Sequence, residues 1–505
     1  MEHDAGYLPQ KFLQEMEALL GAEEYAEYLD SFGQGRTYAL RVNGRKLSPD
    51  EFSRRHGRKQ TTDEFSRRCG QKLTPVPWIP NGFFYDPSWE AAKDPDYAAG
   101  LYYLQEASAM TPASLLPVKP GDNVLDLCAA PGGKATELGV KLNGKGFLLA
   151  NDISNSRAMA LLKNLELFGL PNICVSSEPP QKLADVLPEF FDKILVDAPC
   201  SGEGMFRRDP AMAKDWTERG PAYYQPIQRK IMEQAVKLLK PGGCLLYSTC
   251  TFSAAENEDT VSYILAHEPD MELVPIPLFP GAADGFGLSG VIRLFPYKIQ
   301  GEGHFMALLR KKERAKEDGD VRKNQKENRD VRENQRVQNS RNKHISLNQQ
   351  RNPNQQRNLN EQENNGQKFR GFSEFMEDLR IPLELSRIRR LQDRLYYLPE
   401  GFPDWAKLRY LRTGLLLGTE KNGRFEPGQA LAMSLRAEDF VRSVCLSRDD
   451  PRVLRYRKGE SIVLEEGEGE INGWCLVCLE GGFPLGWAKG AGKRLKNKYY
   501  PGWRC

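Results

Sequence analysis

The sequence predicts an α/β protein built around a doubly wound, mostly parallel sheet, with a small α+β domain before it and a β-rich domain after it. From about residue 96 onward, apolar strand-like runs, glycine-rich turns and helical stretches follow one another repeatedly. Such alternation is typical of βαβ units. With 505 residues the chain is too long for a single core, so we expect three domains and a linker.

The composition indicates a globular protein without a membrane span. Hydrophobic residues make up 40% and charged residues 28% of the chain, as in ordinary soluble domains. No apolar stretch reaches about 18 residues, and the first residues lack the pattern of a signal peptide. The ten cysteines follow no regular spacing, which favours reduced thiols and a cytoplasmic location. Because the net charge is only +3, a nucleic-acid partner would meet local basic patches.

Residues 1–95 are expected to form the first domain. A helix is predicted over Pro9–Phe32, where apolar residues recur at helical spacing, and a strand over Tyr38–Asn43. Asp50–Gly57 recurs with one substitution as Asp63–Gly70. One repeated pair falls short of the three units that a solenoid needs, so we interpret it as a local duplication.

Residues 96–310 carry the predicted sheet. Its short apolar runs alternate with amphipathic helical stretches, which would cover the two faces of the sheet. The predicted strands are Asn123–Leu127, Gly146–Ala150, Lys193–Val196 and Cys244–Ser248, and the principal helices are Ser156–Phe168 and Ile227–Leu239.

Residues 311–368 interrupt this pattern with Asn, Gln, Arg, Lys and Glu and almost no aromatic residues. Such a segment cannot bury enough apolar surface to offset its ordering entropy, so a disordered linker is predicted. Hydrophobic periodicity returns in residues 369–505, with a strand-like stretch at Asn472–Glu480. We therefore predict a separate β-rich domain that makes few contacts with the rest of the chain. Within its basic segment Lys489–Lys498, residues Lys493–Lys498 and the nearby aromatic residues suit binding of the RNA backbone and stacking on bases.

A glycine-rich turn follows the first strand of the predicted sheet. A buried strand, a tight turn whose glycines let the backbone approach a ligand, and a helix in this order are typical of a nucleotide-like cofactor site. The turn is not Gly-x-Gly-x-x-Gly, and Cys128 and Ala135 replace the Gly and the Ser or Thr that a P-loop requires. Nicotinamide and nucleoside-triphosphate cofactors are therefore disfavoured. The candidate cofactor residues in the turn are Cys128, Ala129, Ala130, Pro131, Gly132, Gly133 and Lys134.

Two further candidate cofactor residues follow the second strand. Asp152 lies at the end of that strand, about 20 residues beyond the turn, where an acid can bind ribose hydroxyls. The alternative is that Asp152 caps the following helix. Arg157 lies one turn further on and could hold a carboxylate or extend into solvent.

Two cysteines and a carboxylate follow two other strands. Asp197 and Cys200 come after one strand, and Cys250 comes after another. In doubly wound sheets, ligands bind at the carboxyl ends of the strands. Most single cysteines are inert core residues, but four motifs at neighbouring strand ends favour one active site.

These motifs resemble the RNA 5-methylcytosine methyltransferases (Fmu/Sun type), and most of all their RsmF-type subgroup of bacterial 16S ribosomal RNA enzymes. The resemblance implies a Rossmann-like methyltransferase sheet, an N-terminal RNA-recognition domain, a PUA-like C-terminal domain and S-adenosyl-L-methionine as cofactor. It also places Asp197 at the cofactor site. The segments that carry it are Leu40–Asn43, Gln105–Met110, Cys128–Lys134, Asp197–Gly202, Ser248–Cys250, Gly486–Lys489 and Tyr499–Arg504.

The resemblance implies catalytic roles that agree with the chemistry of cytosine. Carbon 5 is a poor nucleophile, and a thiolate that adds to carbon 6 pushes electron density towards it. The family places this nucleophile at Cys250. Asp197 would hydrogen-bond or protonate the edge of the base, and Cys200 would help to release the product. The target base must be unpaired or flipped out of its stack.

Three other features carry weaker expectations. The family has an acid after the third strand, and Glu178 is the acid found there, between Ser177 and a pair of prolines. Cys475 and Cys478 have the spacing of half a zinc site, but a lone pair is insufficient, and an ordinary strand with no metal is expected. The two arginines of Phe206–Pro210 either grip RNA phosphates or belong to a solvated loop.

The leading hypothesis is a monomeric enzyme that methylates carbon 5 of cytosine in 16S ribosomal RNA. An alternative keeps the chemistry and changes the substrate to transfer RNA. An alternative of another class is a non-catalytic RNA-binding factor of ribosome assembly. Binding alone would need neither Cys200, Cys250 nor Asp197, so their joint presence argues against it.

Overall fold

The computed structural model describes residues 6–56, 73–314, 370–402 and 407–504. The second copy of the duplication and nearly all of the predicted linker lie outside these residues. The described residues of an N-terminal region (6–106), a central region (107–312) and a C-terminal region (371–504) together form one compact unit. Within the described ranges, no helix has both the length and the apolar character needed to cross a membrane.

The N-terminal region is an α+β structure with a four-stranded antiparallel sheet in the order β2-β3-β1-β4. The predicted first helix is present but is interrupted at Gly21, whose φ of 75° lies in the left-handed region that favours glycine. The elements are α1 Gln10–Asp30, β1 Ala39–Val42, α2 Pro49–His56, β2 Leu73–Pro75, β3 Gly82–Tyr85, α3 Pro95–Ala98 and β4 Tyr102–Leu104.

The central region contains the predicted doubly wound sheet, which is thereby confirmed. Five parallel strands run in the order β7-β6-β5-β8-β9, so the chain reverses its direction of winding at β5. Antiparallel strands extend the sheet beyond β9. The strands are β5 Asn123–Asp126, β6 Phe147–Asn151, β7 Ile173–Ser176, β8 Phe191–Asp197, β9 Leu239–Thr249, β10 Met271–Val274, β11 Ala282–Ala283, β12 Ile292–Leu294 and β13 His304–Lys311.

Helices cover both faces of this sheet and bury its apolar side chains in two large cores. Strand β6 is buried along its whole length, as expected for a parallel strand that is covered on both faces. The helices are α4 Ala107–Leu115, α5 Gly133–Lys141, α6 Asn155–Leu167, α7 Pro180–Val186, α8 Pro210–Glu218, α9 Pro221–Leu238 and α10 Glu258–His267.

The C-terminal region is β-rich, as predicted, and contains two sheets of four and five strands. The predicted strand at Asn472–Glu480 is confirmed by β21, and Cys475 and Cys478 are both buried in it. Among the described residues no group of His, Cys, Asp and Glu could hold a metal ion. The elements are α11 Arg370–Met376, β14 Ile388–Leu391, β15 Arg394–Tyr397, β16 Tyr410–Thr413, β17 Leu415–Lys421, β18 Arg424–Pro427, α12 Gln429–Ser434, β19 Ser443–Leu446, α13 Pro451–Arg457, β20 Ile462–Val463, β21 Gly473–Leu479, β22 Phe483–Ala491 and β23 Arg494–Asn497.

The expectation of few contacts between this region and the rest is wrong. Strand β16 (Tyr410–Thr413) pairs antiparallel with β7 and so becomes an edge strand of the sheet of the central region. In addition, Val444 and Leu485 share one apolar core with Leu40 and Phe52 of the N-terminal region. The polar composition of a linker reports on the linker itself and says nothing about the surfaces at its two ends. A bare sheet edge and exposed apolar surface are both stabilised by being covered.

Candidate active site

The carboxyl ends of β5, β6, β8 and β9 meet at one edge of the sheet, where the winding reverses. This is the place where open α/β sheets bind ligands. A cavity of about 880 Å³ opens there. It brings together most of the side chains predicted from the sequence. Those lining it are Cys128, Ala130, Asp152, Arg157, Asp197, Cys200 and Cys250.

The glycine turn lies between this cavity and a second one of about 310 Å³. Ala129, Pro131, Gly133 and Lys134 line the second cavity only. A Cβ atom on Gly133 would lie 2.9 Å from Nε2 of Gln105, so this glycine makes room for the N-terminal region. The sequence predicted that the glycines let backbone approach a ligand, and at Gly133 the close neighbour is protein.

Asp152 is 2% exposed and is fixed by three contacts at the floor of the large cavity. Its Oδ1 accepts a hydrogen bond from the Ser154 N–H at 2.9 Å, and its Oδ2 accepts one from the Ala130 N–H at 3.3 Å. The guanidinium of Arg157 lies 3.3 Å from Oδ2. The residue that caps α6 is Ser154, so the structure does not bear out the alternative that Asp152 is the helix cap.

Arg157 joins the turn to the following helix. It donates a hydrogen bond to the carbonyl oxygen of Ala130 at 3.0 Å, while 59% of its side chain stays exposed. It therefore belongs to the rim of the cavity and keeps donors available to a ligand.

Glu178 is turned away from the large cavity, whose wall at this point is formed by Pro179, Pro180 and Gln181. Its carboxylate accepts hydrogen bonds from Nζ of Lys182 at 2.7 Å and from the N–H of Arg409 at 2.7 Å. Burial raises the pKa of Glu178, but these hydrogen bonds hold it below its ordinary value. Glu178 thus bonds to the C-terminal region and does not line the large cavity.

The two cysteines lie side by side in the wall of the large cavity. Sγ of Cys200 lies 3.3 Å from Sγ of Cys250. This hydrogen bond to Cys250, together with burial, raises the pKa of the Cys200 thiol well above its ordinary value. Either sulfur can donate the hydrogen bond to the other.

Asp197 is held by three polar side chains. Its Oδ2 accepts a hydrogen bond from Nζ of Lys134 at 2.7 Å, and its Oδ1 accepts one from Oγ of Ser248 at 2.8 Å. Nε2 of His304 lies 3.7 Å from Oδ1. Burial raises the pKa of Asp197, but Lys134 and His304 lower it well below its ordinary value, so the carboxylate is ionised.

Sequence reasoning missed three features of this site. Lys134 was grouped with the cofactor turn, although its ammonium bonds Asp197. His304 and Asp126 were not identified at all. Burial raises the pKa of Asp126 to about 8. For Asp126 the available signal is an acid within the apolar run Val124–Leu127. His304 lies more than fifty residues after Cys250, and no sequence pattern points to it.

The two arginines after the Cys200 loop differ in their surroundings. Arg207 is tied down by Glu302 at 3.1 Å and by the carbonyl oxygen of Gly301 at 2.8 Å. Arg208 is exposed at the mouth of the second cavity. Of the two, Arg208 is therefore the one that can meet a phosphate.

Models of four protein families match consecutive parts of the chain. They are the N-terminal domain of 16S rRNA methyltransferase RsmF (residues 8–107), 16S rRNA methyltransferase RsmB/F (113–310), the RsmF rRNA methyltransferase first C-terminal domain (374–435) and the methyltransferase RsmF PUA domain (443–505). Along most of its length the chain is therefore similar to the RsmF-type methyltransferases. The resemblance read from the sequence is thereby confirmed.

Curated relatives carry the same name. The chain is 34% identical over 320 residues to ribosomal RNA small subunit methyltransferase F of Klebsiella pneumoniae, covering 62% of this chain and 65% of the relative. It is 35% identical over 314 residues to the protein of that name from Escherichia coli, covering 60% and 64%. The aligned part is thus less than two thirds of either RsmF-type relative.

Solved structures agree with the fold. A protein described as PH0851 is similar with a TM-score of 0.55 and 28% identity, over 60% of this chain and 66% of that one. NSun6 from Pyrococcus horikoshii, solved with SFG, gives a TM-score of 0.53 and 24% identity, over 61% and 99%. The second likeness bears on the fold alone.

Proposed function

We propose that the protein methylates carbon 5 of a cytosine in 16S ribosomal RNA, with S-adenosyl-L-methionine as cofactor and a covalent bond between Cys250 and carbon 6. The observation that carries the proposal is the contact of 3.3 Å between the sulfurs of Cys200 and Cys250 in one cavity with Asp197. Similarity to the RsmF-type methyltransferases supports it. We also propose that the enzyme acts as a cytoplasmic monomer whose partner is RNA.

The residues at the large cavity fit the cofactor. At about 880 Å³ the cavity has room for both a nucleoside-like cofactor and one base. Asp152 offers a fixed carboxylate for ribose hydroxyls, and Arg157 offers guanidinium donors for the carboxylate of the amino-acid part. When bound, S-adenosyl-L-methionine supplies the methyl group to the attacking carbon.

The chain's own residues account for activation of the base. The thiolate of Cys250 adds to carbon 6, and the electron pair of the ring double bond moves to carbon 5 and the conjugated ring. Because Asp197 is ionised, it accepts a hydrogen bond from the exocyclic amino group. The Lys134 ammonium beside it, 2.7 Å away, is the cation that stabilises the negative charge developing on the ring.

Release reverses the addition. The proton leaves carbon 5, the double bond between carbons 5 and 6 reforms, and its formation expels the Cys250 thiolate. Cys200 lies within 3.3 Å of the sulfur that leaves. Its thiol can therefore assist this step by hydrogen-bonding the departing thiolate, while water takes the proton from carbon 5.

The choice of RNA separates the proposal from its first alternative. Tritium-labelled S-adenosyl-L-methionine should transfer methyl groups to 16S RNA or small subunits from a strain that lacks the gene, and bisulfite sequencing should find the new 5-methylcytosine. Transfer to transfer RNA alone would favour that substrate instead. No transfer to any RNA, with RNA binding retained, would favour the non-catalytic assembly factor.

A substitution tests the cofactor site. Asp152→Ala should weaken the binding of S-adenosyl-L-methionine by about 1–3 kcal/mol, the scale of charge-assisted hydrogen bonds. Glu178→Gln is the matched control, because its carboxylate does not line the cavity, and it should leave Kd nearly unchanged. Calorimetry that detects no cofactor binding to the folded wild-type protein would contradict the enzyme assignment.

A further inference from the structure

Two buried carboxylates lie behind the cysteine pair, one in each of the loops that carry the thiols. We define the Cys200 loop as residues 198–205 and the Cys250 loop as residues 250–257. Glu203, in the first loop, is 3% exposed, and Glu256, in the second, is 0% exposed. Neither lines the large cavity, so neither touches a bound base there.

Glu256 reaches from its own loop into the Cys200 loop. Its Oε2 accepts a hydrogen bond from the N–H of Ser201 at 3.0 Å, and its Oε1 accepts one from Oγ of the same serine. Gln228 of α9 adds a second donor to Oε2 at 2.7 Å and also donates to the carbonyl oxygen of Pro199 at 3.0 Å. Glu256 thereby fixes Ser201 directly, and Gln228, which it also binds, fixes Pro199 on the other side of Cys200.

Glu203 makes the opposite crossing. Its Oε2 accepts a hydrogen bond from the N–H of Phe252 at 2.9 Å, in the Cys250 loop. Its Oε1 accepts one from Nε1 of Trp216 at 2.9 Å. Each loop therefore supplies a carboxylate that binds a backbone N–H of the other loop, within two residues of its cysteine.

Two uncharged contacts lie between these crossings. The Gly204 N–H donates to the carbonyl oxygen of Cys250 at 2.9 Å, and the hydroxyls of Ser201 and Thr251 are 2.8 Å apart. Loops that leave parallel strands have no ladder of their own to align them. Here side-chain hydrogen bonds and a single backbone hydrogen bond align the Cys200 loop with the Cys250 loop.

The partners explain why both positions carry an acid. The groups that face Glu256 are an N–H, the hydroxyls of Ser201 and Thr251 and an amide NH₂, and those that face Glu203 are two N–H groups and the Thr251 hydroxyl. Burial and the neighbouring Glu256 raise the pKa of Glu203 to about 7, and burial raises the pKa of Glu256. A carboxylate presents acceptors only. A glutamine at position 203 would turn its NH₂ towards the N–H of Phe252 or of Trp216 and leave a buried donor unpaired. A glutamine at position 256 would turn its NH₂ towards the Ser201 hydroxyl and replace the hydrogen bonds to a carboxylate by weaker ones to a neutral amide.

We propose that Glu203 and Glu256 are positioning residues, a reciprocal clamp that holds the two thiols at the spacing that addition and release both require. This inference rests on the proposed function, since it assigns the clamp to that reaction. A displacement of about 1 Å in a catalytic group can lower the rate by about 100-fold. A clamp of buried hydrogen bonds limits such displacement.

Glu256→Gln tests the clamp. It should lower kcat by about tenfold or more, while KM for RNA and the Kd of S-adenosyl-L-methionine stay within about twofold, because Glu256 touches neither ligand. Glu166→Gln is the control: it weakens a buried ion pair with Arg412, remote from the cysteines, and should keep the wild-type kcat. A wild-type kcat in Glu256→Gln would overturn the proposal.

A second readout does not depend on methylation. Diamide oxidises two adjacent thiols to a disulfide and is itself reduced to the hydrazine, so the rate at which Cys200 and Cys250 become cross-linked reports their spacing. Peptide mapping should show this cross-link forming several-fold more slowly in Glu256→Gln than in the wild type and in Glu166→Gln. Equal rates in all three proteins would contradict the clamp.

The two readouts separate the clamp from the reaction. If Glu256→Gln slows cross-linking but even the wild-type protein methylates no RNA, the role of the clamp in spacing the thiols is supported. Its assignment to the methylation reaction is then wrong. If Glu256→Gln does not fold, Ser201→Ala removes one donor to Glu256 and keeps the backbone contact. Ser201→Ala must then lower both kcat and the rate of cross-linking. A wild-type kcat and a wild-type cross-linking rate in this variant would overturn the proposal.

Discussion

The parallel sheet of the central region and the C-terminal region are stabilised by the same kinds of contact. They differ in how far apart along the chain the contacting residues lie. In the sheet, three candidate site residues, Asp152, Asp197 and Cys250, lie at the end of a strand or directly after it, so they reach one edge as a consequence of strand order. In the C-terminal region, the contacts that matter join residues more than two hundred positions apart, such as Tyr410 and Ser176. Local pattern determines the first arrangement, and surface complementarity determines the second.

Of the changes considered, removal of the C-terminal region should lower the free energy of unfolding most. Deletion of residues 371–505 would uncover the edge of β7 and the apolar surface around Leu40 and Phe52. Each large apolar side chain exposed costs about 1.5–3 kcal/mol, so we expect a loss of at least about 5 kcal/mol and poor solubility. Urea unfolding measures it. A truncated protein with an unchanged unfolding free energy would show that the two halves are independent after all.

A single ion pair tests the same joint on a smaller scale. Arg412 of β16 bonds Glu166 of α6, and both side chains are largely buried. Arg412→Ala leaves an unpaired buried carboxylate, which should lower the free energy of unfolding by about 3 kcal/mol. Arg409→Ala is the control, since its side chain is 74% exposed and its loss should cost less than about 1 kcal/mol. Equal effects of the two substitutions would argue against a buried joint.

Acid should weaken the neighbouring joint between the N-terminal region and the five-stranded sheet. Arg55 bonds both oxygens of Asp96 and also the carbonyl oxygen of Glu480. Burial raises the pKa of Asp96, but hydrogen bonds from His56 and Arg55 lower it to about 2. Because its pKa is lowered, the Asp96 carboxylate stabilises the fold at pH values above its ordinary pKa near 4. This stabilisation is lost as the pH falls towards 2.

The expected size of this acid effect is about 2 kcal/mol. It should be seen as a shrinking difference in unfolding free energy between the wild type and Asp96→Asn as the pH falls from about 5 to 2. A difference that stays constant over that range would mean that Asp96 is not held by its two partners as the structure shows.

The sequence was informative where function follows strand order. The strands, the glycine turn and the pair Cys200 and Cys250 could all be predicted, because each is a local pattern and the edge of the sheet collects them. The roles of Lys134 and His304 beside Asp197 could not, because they depend on side-chain direction and on a distant strand. Strand β16 could not be placed either, since an edge pairing leaves little trace in composition.

The covalent complex between protein and RNA tests the central claim most directly. Wild-type protein, Cys250→Ala and Cys200→Ala are each incubated with S-adenosyl-L-methionine and RNA, and conjugates that survive a denaturing gel are measured. If Cys250 is the nucleophile and Cys200 serves release, Cys250→Ala should give neither methylation nor conjugate, while conjugates should accumulate in Cys200→Ala. Conjugates trapped by Cys250→Ala would mean that the two roles are reversed. Normal methylation without conjugates in both variants would contradict the covalent mechanism itself.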